Sequence, residues 1–356
     1  MNVTSSLDTQ DIYQRYDPTN MLARIAGLPD QCQEAWDRAS ALRLPASYTQ
    51  ADRIVFLGMG GSAIGGDLVA GLAQLHGSAP VTVQRDFSAP LGVGPSTLVI
   101  ASSYSGNTEE TLAMYRQARE RKAMLVAMTS GGTLTSMAGT HRTPVYAVPY
   151  KGEPRSALGH SIFASLALLC RLGLLPYTNE DVAAAIQVAK ELAEGLSPAI
   201  PTAQNLGKSL AEELCGKLPI VYGGGFLTGV ARRWKTQLNE NSKSWAFYEE
   251  IPEAAHNAVE GYSLPQAIAG SAYVVLLHSY LFHNRLSARY TALEDLLQEH
   301  GVPCRQIDAA GDTPLAHLLT SVLLGDHVSY YLALLNGVNP ASNEAIDHLK
   351  AKLARE

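Results

Sequence analysis

The stretch IVFLGMGGSAIGGDL, from Ile54 to Leu68, opens with four apolar residues, breaks into glycines at Gly58, Gly60 and Gly61, and resumes with apolar residues at helical spacing. A short apolar run feeding a glycine-rich turn and then a helix is the grammar of a parallel α/β unit. The stretch PIVYGGGFLTGVARRW, from Pro219 to Trp234, has the same order, which points to an internal structural duplication. Around the first unit, RIVFLG, VTVQRD, TLVIAS, AMLVAMT and PVYAVP are strand candidates; around the second, LPIVYGGG, SWAFYEE, AYVVLLHS and VPCRQIDA are. A helical stretch runs from Ala157 to Gly195 with a break near Pro176, and SPAIPT, with two prolines, has the composition of a linker. Residues 1–50 form a helical arm with Met21, Leu22, Ile25 and Leu28 at three- and four-residue spacing. The expected architecture is therefore α/β: a helical arm over 1–50 and two tandem domains with parallel sheets over 51–195 and 202–356.

A chain of 356 residues is long enough for two domains with full cores, and 17% charged against 46% hydrophobic residues is a globular composition. The net charge of −6 comes without a long basic or acidic run, so nucleic acid and membrane are not expected as partners. Cys32, Cys170, Cys215 and Cys304 show no CxxC spacing, so no metal site or disulfide framework is expected and a reducing cytoplasm fits. Met1 to Tyr16 has none of the basic-then-apolar pattern of a leader. SIFASLALLCRLGLLP, from Ser161, is interrupted by Arg171 and is too short to span a bilayer.

Two turns carry the chemistry. In the first, Gly60, Gly61 and Ser62 precede a helix thinned by Gly65 and Gly66, where exposed amides favour an anion and glycines allow close approach to a ligand. A relaxed dinucleotide fingerprint competes, since Gly58, Gly60 and Ala63 fit its spacing and Asp86 follows the next strand. The second turn, SSYSGNTEETL from Ser102, favours a different ligand. Ser103, Ser105 and Thr108 lie beside Gly106 at a helix start, so hydroxyls and amides converge on a group with three oxygens, as in a monophosphate. A simple cap would account for one of these hydroxyls, and Glu109 and Glu110 suit the first turn of the helix.

These motifs resemble a known family. GMGGSAIGGD and SSYSGNTEETL look like the ligand loops of the SIS (sugar isomerase) domain, and EPRSALGHS and NENSKSWAFYEEIPEAAHN resemble the bifunctional phosphoglucose/phosphomannose isomerases. The resemblance implies two flavodoxin-like SIS domains of three-layer αβα type, a homodimer with its active site shared across the interface, and a reaction without metal or cofactor. It also implies interconversion of glucose 6-phosphate and mannose 6-phosphate with fructose 6-phosphate.

Under that resemblance Gly61, Ser62, Ser103, Ser105 and Thr108 would hold the phosphate, Glu240 would be the base, and His256 would open the ring from the neighbouring subunit. Arg155, placed by Pro154 just before a helix, would stabilise the developing enediolate, and Lys350 near the end would assist ring opening. Plainer readings compete: Glu240 paired with Lys235 or Lys243, Arg155 with Glu153, Lys350 on a solvated helix face. The amides Asn239 and Asn241 beside Glu240 favour the catalytic reading, because amides are costly in a helix unless specifically bonded. The segment AVEGYSLP after Asn257 departs from the family pattern, which bears on sugar preference. The second domain's VYGGGFLTG has no serine-rich partner loop after AYVVLLHSY, so one phosphate site per chain is expected. A noncatalytic sugar-phosphate sensor and an NAD-linked oxidoreductase are the alternatives.

Overall fold

The computed structural model describes residues 7–353; residues 1–6 of the expected arm and 354–356 of the second domain lie outside the described residues. Three helices open the chain, α1 (Gln10–Tyr16), α2 (Met21–Ala26) and α3 (Leu28–Ser40). The first sheet follows: β1 (Arg53–Leu57), α4 (Gly60–His76), β2 (Val81–Gln84), β3 (Thr97–Ser102), α5 (Glu109–Glu120), β4 (Met124–Thr129), α6 (Gly132–His141) and β5 (Val145–Ala147). Helices α7 (Leu158–Arg171), α8 (Asn179–Gly195) and α9 (Leu206–Leu214) lead to the second: β6 (Leu218–Gly224), α10 (Thr228–Glu240), β7 (Phe247–Ile251), α11 (Gln266–Ala269), β8 (Ala272–His278), α12 (Asn284–Glu299) and β9 (Cys304–Asp308). Helices α13 (Pro314–Leu335) and α14 (Glu344–Leu353) close the described chain.

Both sheets are parallel, with orders β2-β1-β3-β4-β5 and β7-β6-β8-β9, so the second repeats the first without its last strand. The duplication expected from the two strand-turn-helix stretches is therefore present as two separate sheets. In each, the chain reverses its direction of strand addition beside the first strand, between β1 and β3 and between β6 and β8. The carboxyl ends of strands at such a point frame a crevice. Along β1, Ile54 and Phe56 enter one core and Val55 and Leu57 another, the two-residue alternation of a strand covered on both faces.

Two glycines of α4 serve close packing. A Cβ on Gly65 would lie 2.1 Å from Ser161 Oγ on α7, and one on Gly71 would lie 2.7 Å from the carbonyl oxygen of Phe226 in the second domain. Gly65 and Gly71 let α4 approach a neighbouring helix and the other domain.

The arm belongs to the main body: Cys32, Ala35, Trp36 and Ala39 of α3 are buried in the core that α7 shares. Gln31 Nε2 donates to the Ser156 carbonyl at 2.9 Å. Some expected boundaries shift. SWAFYEE becomes a strand only from Phe247, and Trp245 is left 79% exposed. The expected break near Pro176 separates α7 from α8, whose start is fixed by a capping box between Thr178 and Asp181. The longest apolar helix is α13 rather than the stretch from Ser161; it has a mean hydropathy of 1.4 over a window that is 94% buried against the rest of the chain.

Candidate active site

The carboxyl ends of β1 and β3 bring the amino ends of α4 and α5 together, because parallel strands side by side deliver their following helices to one edge. Ser62 Oγ accepts from the Tyr104 amide at 3.1 Å, which joins the two loops. Ser103 is fully buried; its hydroxyl donates to Thr108 Oγ1 at 2.9 Å and accepts from the Thr108 amide at 3.4 Å. Ser105 Oγ accepts from the Asn107 amide at 3.2 Å. Thus the hydroxyl protons of Ser62, Ser105 and Thr108 remain available to a ligand, whereas that of Ser103 is spent on aiming Thr108. Thr108 stands at the cap position of α5 without making a side-chain cap bond, so the simple capping explanation does not hold.

A third loop, TSGGT from Thr129, braces this turn and was not singled out from sequence. The Leu134 amide donates to the Gly106 carbonyl at 2.9 Å, and Thr133 donates to Asn107 Oδ1 through its amide and its hydroxyl, both at 3.0 Å. Gly106 has φ +71, and a Cβ there would lie 1.8 Å from the Gly131 oxygen, so only glycine fits the contact. The signal was present in the glycine and hydroxyl composition of TSGGT, but which loop it faces is set by the order of β3 and β4.

Arg155 connects this cradle to the other half of the site. A Cβ on Gly61 would lie 3.3 Å from the Arg155 backbone, so the two segments run in contact. The Arg155 guanidinium donates from Nε to Asn241 Oδ1 at 2.8 Å, from Nη1 to Asn343 Oδ1 at 2.6 Å and from Nη2 to the Pro340 carbonyl at 2.6 Å. A looser contact of 3.4 Å joins Nη1 to Glu240 Oε2. The Arg155 side chain is 2% exposed and that of Glu240 27%, so a buried cation faces a carboxylate that a substrate can reach. Burial pulls the Arg155 guanidinium below its ordinary value, and Glu240 and Glu153 pull it back up.

The plainer pairings fail here. Glu153 pairs with Arg24, and Lys243 reaches the Glu240 backbone carbonyl rather than its carboxylate. Asn241, fully buried, also donates from Nδ2 to Ser329 Oγ at 3.0 Å, and Asn239 donates to the Ser244 carbonyl at 2.8 Å, so both amides make specific bonds. Behind Arg155, the buried pair Arg233–Asp326 holds the Arg155 carbonyl through Arg233 Nη2 at 2.9 Å. Asn343, Pro340 and Asp326 were invisible in the sequence because they come from the far end of the chain.

His256 and Lys350 are not brought in. His256 is exposed on a turn after β7, and among the described residues no hydrogen bond or ion pair ties it to Glu240 or Arg155. Lys350 is exposed on α14, whose residues Glu344–Leu353 are all exposed. In the second domain the corresponding turn is filled by rings. Phe226 and Phe282 pack at 5.3 Å, and a Cβ on Gly224 would lie 3.2 Å from Tyr290 Oη.

Residues 47–149 match the SIS domain model, and residues 203–353 match the model of the bacterial phospho-glucose isomerase C-terminal SIS domain. The bifunctional phosphoglucose/phosphomannose isomerase of Caldicellulosiruptor bescii is 38% identical over 335 residues, covering 94% of this chain and 99% of the relative. The D-glucosamine-6-phosphate 4-epimerase of Sulfolobus acidocaldarius is 31% identical over 243 residues, covering 68% of this chain and 74% of the relative. Among solved structures, a hypothetical protein of Thermus thermophilus superposes with a TM-score of 0.75 at 17% identity, covering 97% of this chain and 92% of that one, a likeness of fold.

Proposed function

This chain belongs to the bifunctional phosphoglucose/phosphomannose isomerase family, and on that premise we propose that it interconverts glucose 6-phosphate and mannose 6-phosphate with fructose 6-phosphate through a cis-enediolate. The observation that carries the reading is Arg155, in backbone contact with the loop residue Gly61 and 3.4 Å from the Glu240 carboxylate. The phosphate grip at Ser62, Ser105 and Thr108, with Ser103 behind it, fixes one end of the sugar, so remote binding energy positions the other end. Glu240 takes the proton from C2 of the open aldose and returns it to C1, while Arg155 faces the oxygen on which negative charge develops. The two aldoses share one enediolate and differ in the face from which C2 is protonated.

Ring opening falls to His256 of a second copy and to Lys350, which makes a homodimer with a shared site part of the reading; the exposure of both side chains in one chain supports it. The four unpaired thiols suit a reducing cytoplasm, and the reaction suits the exchange of hexose phosphates in glycolysis and gluconeogenesis. The test is a coupled assay for fructose 6-phosphate in the presence of EDTA, with glucose 6-phosphate, mannose 6-phosphate and glucosamine 6-phosphate offered separately. Turnover of the first two is expected. Turnover of neither, with binding retained, would overturn the isomerase reading.

A further inference from the structure

Lys243 occupies a place that the reaction as described does not explain. It is a non-glycine residue with φ +56, just past the end of α10, where glycine would fit without strain. That conformation turns its side chain back along the helix end, so that Nζ donates to the Glu240 carbonyl and, at 2.8 Å, to the Ser342 carbonyl. Ser342 adjoins Asn343 in the segment between α13 and α14. Arg155 grips the same segment from the inside, at Asn343 and at the Pro340 carbonyl, both at 2.6 Å. Two cations therefore hold one short segment, and each also touches Glu240, Lys243 at its backbone carbonyl and Arg155 at its carboxylate.

We propose that Lys243 is a positioning residue for the isomerisation: by tying Ser342 to the backbone of Glu240 it keeps Asn343 and Pro340 on Arg155, so the Arg155–Glu240 contact stays long and the carboxylate stays free to take a proton. The inference rests on the isomerase reading. Its chemistry is that a guanidinium released from Asn343 and Pro340 would close on Glu240 as a short bidentate pair, and a carboxylate held that way is a poor base. The charged groups facing the amine are Arg155, Glu240 and Glu344. Loss of hydration, followed by the Arg155 charge, brings the Lys243 amine down to about 8, with Glu240 and Glu344 acting in the opposite direction. A neutral amine is a weaker donor to the two carbonyls, so the tether loosens just above that pH.

The experiment compares wild type, Lys243→Met and Lys243→Arg for kcat, KM and melting temperature across the pH range of activity. Lys243→Met should lower kcat about tenfold at neutral pH with KM within about twofold, since the phosphate grip is untouched, and with an unchanged melting temperature. Lys243→Arg should restore kcat and move the alkaline fall, expected near pH 8 in wild type, upward by more than about one unit. An active wild type together with an unaffected Lys243→Met enzyme, or a loss seen only in KM or only with a fallen melting temperature, would overturn the tether. An inactive wild type would remove the isomerase reading and this inference with it.

Discussion

The buried hydroxyl of Ser103 gives the proposed phosphate cradle a measurable internal coupling. Ser103 Oγ donates to Thr108 Oγ1 at 2.9 Å and accepts from the Thr108 amide at 3.4 Å, so it acts on a ligand through Thr108. Removing one neutral hydrogen bond costs about 1 kcal/mol, so Ser103→Ala should weaken substrate binding about fivefold. Thr108→Ala removes a donor to a charged group, worth roughly 1.5–3 kcal/mol, so binding should weaken by roughly 10- to 150-fold. With the Thr108 hydroxyl gone, Ser103 keeps only the bond it accepts from the backbone amide of residue 108 and has no hydroxyl left to aim. The double variant should then bind as Thr108→Ala does, giving a coupling of about 1 kcal/mol in the cycle. Affinity is best measured calorimetrically with fructose 6-phosphate in a Glu240→Gln background, where turnover does not intrude. Additive losses would show that Ser103 contacts the phosphate itself and would refute the relay.

Further outcomes are expected elsewhere in the molecule. Glu240→Gln should bind substrate but lose roughly 10²- to 10⁴-fold in kcat, and near-normal turnover would remove Glu240 as the base. Mixing inactive His256→Ala with inactive Glu240→Gln should restore about one quarter of wild-type activity if the site is shared, because half of the dimers then carry one complete site; no recovery after subunit exchange would place His256 elsewhere. Gly65→Val should lower unfolding free energy by roughly 1–3 kcal/mol in urea, since its Cβ would sit 2.1 Å from Ser161 Oγ; an unchanged midpoint would mean that α4 and α7 are not so closely packed. Burial holds His160 and His327 below the ordinary histidine value, so the unfolded chain binds protons more readily and stability should decline as pH falls below about 6.5. His327→Leu should flatten that slope, and an identical slope in the variant would acquit this residue.

Periodicity and turn chemistry are properties of neighbouring residues, and they were sufficient to reveal two parallel α/β units, the helical arm and the hydroxyl-rich turn from Ser102. Asn241 was also legible, since an amide beside Glu240 in a helix needs a specific partner. The partners themselves were not. Arg155 meets Asn343 and Pro340 from nearly two hundred residues away, and no local pattern records a hydrogen bond made across that separation. Gly65 and Gly71 of α4 show the same limit: the sequence marks positions without side chains, and only the packing of α4 on α7 and on Phe226 shows what lies against them. Local sequence determined which elements form and which loops are polar, because backbone propensity and burial pattern act over a few residues. The meeting of Arg155 with Glu240 and with the loop at Gly61 was decided by strand order and by the return of α13, which carry distant residues to one edge of the first sheet.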